Sequence, residues 1–170
     1  KANPNKKIIL LLKDLGSYFD CASIEEIKLC ISLKVSPNKI SFGNTIKRDK
    51  DIARAHKIGV KLFAFDSLAE LIKISENAPR AKVFCRIQVS NNGSEWPLSR
   101  KFGCFPKLAE ELLIKAYSIN VIPIGISFHV GSQQKCISAY EKAISKTSKI
   151  YKKLRSKGIE LDFLNIGGGF

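Results

Sequence analysis

The stretch Ser127-Phe128-His129-Val130-Gly131-Ser132-Gln133 follows the apolar run Val121-Ile122-Pro123-Ile124-Gly125-Ile126. An apolar segment that stops abruptly at a histidine, a glycine and a serine reads as a buried strand delivering polar groups at its C-terminal end. In parallel α/β folds the chemistry gathers at that end of the sheet. Working outward, the same pattern recurs. Tyr18-Phe19-Asp20-Cys21, Lys39-Ile40-Ser41-Phe42, Lys61-Leu62-Phe63-Ala64-Phe65, Lys82 to Val89 and Leu161 to Ile166 are the other strand candidates. Between them lie helical patterns. Ile8, Leu11, Leu12 and Leu15 share one spacing and Gly16 offers a stop; a second helix carries Ile27, Cys30 and Ile31. Asp49 to Lys57 ends near Gly59, and Leu68, Leu71, Ile72 and Ile74 run to Asn77. Pro106 opens a helix with Leu108, Leu112, Leu113 and Ala116 on one face. A long helix turns Ile137, Tyr140, Ile144, Tyr151 and Leu154 inward. Ser23 with Glu26, and Ser67 with Glu70, have the spacing of capping boxes. Residues 90–105 read as one long polar loop, a length that often carries function.

Six strands alternating with helices imply a parallel sheet. No GxGxxG opens a helix after a strand, which weakens a dinucleotide-binding open sheet. Polar residues at nearly every strand end favour a (β/α)8 TIM barrel. Such a barrel takes about 250 residues, so 170 residues would make most of one, incomplete at both ends. The chain holds no methionine and stops just after a glycine run, so it reads as a segment of a longer chain.

Composition bounds the function. Hydrophobic residues are 45% and charged residues 26%, ordinary for a globular domain, and no apolar run approaches a membrane span. The formal charge is +14, but the lysines are scattered over helix faces without an aromatic-interleaved stripe. We read them as solvated faces, with no specific nucleic-acid partner. Cys21, Cys30, Cys85, Cys104 and Cys136 show no paired spacing, which suits reduced thiols in a cytoplasmic protein. His56 and His129 lie far apart, so no metal site is expected.

The strand ends carry Lys1, Asp20, Ser23, Asn44, Asp66, Arg86, His129, Ser132 and Gly167-Gly168-Gly169. Glycines and a serine let backbone amides approach a phosphate. A histidine beside them can stack on a ring, and a lysine can form a Schiff base. Phosphate cradle, ring partner and amine together describe pyridoxal phosphate.

Three motifs then carry a resemblance. Lys1-Ala2-Asn3-Pro4 resembles the end of a Tyr-Ala-Val-Lys-Ala-Asn motif, Phe128 to Ser132 a His-Val-Gly-Ser motif, and Asn165 to Phe170 a glycine-rich phosphate loop. They belong to the fold-type III pyridoxal-phosphate decarboxylases of ornithine, diaminopimelate and arginine, which use the alanine-racemase-like barrel. Phe19 to Ser23, Gly43 to Lys47 and Trp96 to Gly103 look most like bacterial ornithine decarboxylases. The resemblance implies that Lys1 is the Schiff-base lysine and His129 stacks on the pyridine ring. Ser132, Gly167, Gly168 and Gly169 would hold the phosphate, and Asp20 would stand near the bond to Lys1. Glu26 also matches an acidic position of the family. Pro97 and Leu98 fill a region where some members carry an arginine, with Arg100 nearby, and Asn165 stands where an aspartate is frequent. The resemblance further implies a homodimer acting on a small amino acid. The family's C-terminal β domain, with the acidic residues that read the substrate's distal amine, would lie beyond Phe170. Lysine, diaminopimelate or arginine as substrate, or a non-catalytic regulator built on the same barrel, remain open alternatives.

Overall fold

The computed structural model describes residues 3–96 and 101–169. Lys1, Ala2, residues 97–100 and Phe170 lie outside that description, so the expectations placed on Lys1, Pro97, Leu98 and Arg100 do too.

The expected alternation is present. Six strands, β1 (Phe19–Cys21), β2 (Ile40–Phe42), β3 (Leu62–Phe65), β4 (Lys82–Arg86), β6 (Ile122–Ser127) and β8 (Phe163–Asn165), form one parallel sheet in the order β1-β2-β3-β4-β6-β8. Helices α1 (Lys6–Asp14), α2 (Ile24–Ser32), α3 (Asp49–Ile58), α4 (Leu68–Asn77), α5 (Pro106–Tyr117) and α6 (Ile137–Arg155) separate them. Edge strands of a flat six-stranded sheet would stand roughly 24 Å apart. Here residues of both edges, Asp20 of β1 and Phe163 and Asn165 of β8, line one cavity of about 700 Å³. The sheet is therefore curled into a half-barrel.

Period-two alternation divides each strand between two environments. Phe42, Phe63, Phe65, Val83 and Cys85 point outward and are sealed beneath the helices, where the main core lies. Asp20, Ser41 and Leu62 point into the curl, where Phe84 and Phe163 also meet, ring centroids 5.1 Å apart. Gly125 is the residue that lets β6 and β8 close up: a Cβ there would stand 1.8 Å from the Phe163 carbonyl oxygen.

The helix faces differ from expectation in two places. On α1 only Ile9 is buried, while Ile8, Leu11, Leu12 and Leu15 are exposed. Ile9 alone joins the core, and Lys13 Nζ reaches the Leu33 carbonyl at the end of α2. On α6 the inward face is Ala139, Ala143, Thr147, Ile150 and Leu154, and Ile137 and Ile144 are exposed. Small side chains bring α6 close to its neighbours. Tyr140 and Tyr151 lie at the border of that face, as expected, and spend their hydroxyls on the carbonyls of Gly168 and Phe163.

The 90–105 segment is not wholly loop. β5 (Ser94–Trp96) pairs antiparallel with β7 (Ser132–Gln134), which starts at Ser132. This ribbon ties the polar segment to the stretch after His129.

Candidate cofactor site

β6 runs out at Ser127. Phe128 then turns outward into the core and His129 takes the opposite side, the next step of the same alternation. His129 is held at both its ring and its backbone. Its Nδ1 accepts the Gly131 N–H at 3.0 Å, and its carbonyl accepts the Asn91 side-chain amide at 3.0 Å. With Nδ1 used as an acceptor, the neutral ring carries its proton on Nε2.

The glycine turn follows β8, next to β6. Gly167 and Gly169 have φ of +73° and +111°, a region that favours glycine. A Cβ on Gly167 would stand 2.5 Å from the Phe128 carbonyl oxygen, and one on Gly169 would stand 2.4 Å from the Gly131 carbonyl oxygen. The turn is pinned. Asn165 Oδ1 accepts the Gly167 N–H at 2.8 Å, the Gln134 N–H donates to the Gly169 carbonyl at 2.8 Å, and the Tyr140 hydroxyl donates to the Gly168 carbonyl at 3.2 Å. The Gly167 amide is thus committed to Asn165. Among the described residues, no group bonds the amides of Gly168 and Gly169 or the Ser132 hydroxyl. His129, Ser132 and the three glycines come together, leaving two amides and a hydroxyl available at a wall made of glycines. That donor set suits a phosphate, and the missing side chains of Gly167 and Gly169 let the turn press against the carbonyls of Phe128 and Gly131.

Asp20 lies across the cavity, on the opposite sheet edge. Its Oδ1 accepts the Ser41 hydroxyl at 2.9 Å, and its carboxylate covers Gly43, where a Cβ would clash at 1.7 Å. Its charge reaches Arg86 at the end of β4. Burial pulls the Arg86 guanidinium below its ordinary value, and Asp66 and Asp20 oppose that shift. The same guanidinium stands 5.0 Å over the Phe102 ring. Asp66 in turn accepts the Gly103 N–H at 2.8 Å. The sequence places Arg86 and Asp66 at strand ends but assigns neither a role. A basic residue closing the long apolar strand 82–86 was the available signal.

Glu26 caps α2 much as expected: the Ser23 hydroxyl accepts the Glu26 N–H, and the Glu26 carboxylate reaches back to the Ala22 N–H at 2.6 Å. Glu70 does not complete its capping box. Ser67 caps its N–H, but the carboxylate turns into the core to meet Lys47 and Lys73, each at 2.8 Å. A buried ammonium outcompetes a local backbone amide for a buried carboxylate. Among the described residues no group of three or more His, Cys, Asp or Glu could hold a metal ion, and no helix is long and apolar enough to cross a membrane.

Comparison with known proteins agrees with this geometry. Residues 1–170 match the family model described as pyridoxal-dependent decarboxylase, pyridoxal binding domain. The chain is 38% identical to antizyme inhibitor 2 of Xenopus laevis, over all of this chain and 37% of that protein. It is 35% identical to ornithine decarboxylase of Schizosaccharomyces pombe, over all of this chain and 39% of that enzyme. Its fold superposes on the arginine decarboxylase of Paramecium bursaria Chlorella virus with a TM-score of 0.94 at 36% identity, covering 99% of this chain and 46% of that one. The chain belongs to the pyridoxal-dependent decarboxylases, and the half-barrel is their pyridoxal-binding domain with pyridoxal phosphate as its cofactor. It spans about two fifths of the length of these curated relatives.

Proposed function

We propose that the protein carrying this chain decarboxylates L-ornithine to putrescine, as a cytoplasmic homodimer in polyamine biosynthesis. The observation that carries the reading is the packing of His129 against Gly167 and Gly168, with Gly169 against Gly131: a flat ring beside a wall of glycines and unbonded amides. The choice of ornithine rests on the stretches 19–23, 43–47 and 96–103 and on the likeness to an ornithine decarboxylase.

Pyridoxal phosphate, when bound, supplies an electron sink for the α-carbon of an amino acid as carbon dioxide leaves. This chain's residues bind and orient. Lys1 would hold the cofactor covalently through its amine. The Gly168 and Gly169 amides and the Ser132 hydroxyl would take the phosphate, and Gly167, through its bond to Asn165, would shape the turn. His129, fixed by Gly131 and Asn91, would set the plane of the ring and so the orientation of the bond to be broken. Asp20 faces the cavity between the two sheet edges, and its charge acts on Arg86 at the end of β4.

The test is carbon dioxide release from ornithine, lysine, arginine and diaminopimelate by the natural-length protein with pyridoxal phosphate. Ornithine turned over with the highest kcat/KM supports the reading; another preferred amino acid overturns the substrate. A second reading, a non-catalytic regulator, is favoured by the 38% identity to an antizyme inhibitor. Absence of cofactor uptake and turnover would select it, although the presence of Lys1, His129 and the glycine turn argues for catalysis.

A further inference from the structure

The most deeply buried charge in the described structure serves no site residue directly. The side chain of Lys47 is fully buried, and its Nζ meets Glu70 Oε1 at 2.8 Å, with Glu70 only 3% exposed. Replacing such a pair by apolar residues of similar size is often neutral or stabilising, so stability alone does not explain a buried lysine. Its other contacts do. Nζ donates to the Ala64 carbonyl at 2.6 Å and to the Asn44 carbonyl at 2.8 Å. Ala64 lies in β3, two residues before Asp66. Lys47 thereby ties the β3 backbone two residues before Asp66 to the β2–α3 connection.

Asp66 is the hinge of the next step. It clamps the Gly103 amide and acts on Arg86, whose guanidinium lies over Phe102. Gly103 is pressed onto the end of β4, where a Cβ would come within 2.8 Å of the Gln88 nitrogen. Cys104 is laced to β4 on both sides, its N–H to the Arg86 carbonyl and its carbonyl to the Gln88 N–H. The rim segment 101–104 thus depends on Asp66 for a side-chain hold.

We infer that Lys47 is a positioning residue: through Ala64 and Asp66 it sets the placement of the 101–104 rim and of Arg86 at the end of β4. This rests on the reading that the strand ends hold pyridoxal phosphate.

The test uses the natural-length protein with Lys47→Met and Glu70→Leu together, which removes both charges and keeps their volume. Three quantities are measured: the melting temperature, hydrogen exchange of the Gly103 amide, and the visible circular dichroism of bound pyridoxal phosphate. A role in positioning keeps the variant folded, speeds Gly103 exchange by about ten-fold or more through easier local opening, and alters the cofactor band. A folded variant with parental Gly103 exchange overturns it. If the double variant does not fold, Glu70→Gln decides: it weakens the anchor of Lys47, and Gly103 exchange must rise above the parent. If the parent takes up no pyridoxal phosphate, the functional reading fails, while the exchange result still judges Lys47.

Discussion

The His129 imidazole lies against Gly167, so that a Cβ on that glycine would stand 3.1 Å from ring carbon Cδ2 and 3.2 Å from the His129 Cα. The two residues are 38 positions apart in sequence and follow the adjacent strands β6 and β8. Their contact joins the histidine and the glycine turn into one unit, the two parts proposed to orient the ring and hold the phosphate.

Gly167→Ala should therefore act on both halves. The methyl group meets the Phe128 carbonyl and the imidazole, and φ of +73° strains any side chain. Affinity for pyridoxal phosphate in the natural-length protein should fall by about ten-fold or more, the equivalent of at least about 1.4 kcal/mol. Spectrophotometric titration with the cofactor measures it, and unaltered affinity would show that the turn can relax.

Asn165 offers a contrast between two substitutions. Its Oδ1 holds the Gly167 N–H at 2.8 Å. Asn165→Asp keeps that acceptor and should leave cofactor affinity within about three-fold. Asn165→Leu orphans the amide, at a cost of about 1–3 kcal/mol for a group left without a partner. Equal affinities for the two variants would remove the turn from the site's design.

Glu70→Ala leaves Lys47 buried without its counter-charge, which should destabilise the protein by about 3–5 kcal/mol in urea titrations at neutral pH. Burial already holds Lys47 below its ordinary value of 10.5, and Glu70 opposes that shift. Between the folded value and 10.5 the unfolded chain keeps a proton that the folded chain has released. Stability attributable to this residue thus rises with pH through that window and is lowest below it. Removing Glu70 widens the window downward, so the deficit of the variant should shrink as the pH is raised toward about 10. A deficit independent of pH would mean that lost packing, not charge, is responsible.

Cys136 should be the first thiol to react. It is exposed at the start of α6, and its bond with Ser138, 3.1 Å away, lowers its ordinary value. Cys21, Cys30, Cys85 and Cys104 are buried, and burial pushes the thiols of Cys21, Cys30 and Cys85 upward. Iodoacetamide on the native protein should modify Cys136 before the others by peptide mass spectrometry. Because a lowered value supplies thiolate at lower pH, Ser138→Ala should move the labelling curve to higher pH. Early modification of a core cysteine would contradict the packing of the half-barrel.

Much of this molecule was legible in one dimension. Strand and helix alternation is written in local periodicity, and a strand that ends in His129 or in glycines announces its polar end without any knowledge of neighbours. The three motifs identify the family for the same reason: each is contiguous, and its chemistry needs short-range backbone geometry. Other features were out of reach. Glu70 has the spacing of a capping residue, and only the arrival of Lys47 from the preceding connection turns its carboxylate inward. Ile137 and Ile144 fit the helical period of α6 as well as Ala139 and Ala143 do. Which face is buried depends on how closely the helix approaches its neighbours.

By itself the sequence determined the order of elements, the parallel sheet and the residues that end its strands, because hydrophobic period and turn chemistry act over a few residues. The tertiary structure alone decided that Asp20, from one edge of the sheet, and Asp66 converge on Arg86, that Asn165 takes the Gly167 amide, and that His129 leans on the glycine turn. Those relations depend on curling the sheet. Curvature is a property of all six strands packed together, and no single stretch of chain encodes it.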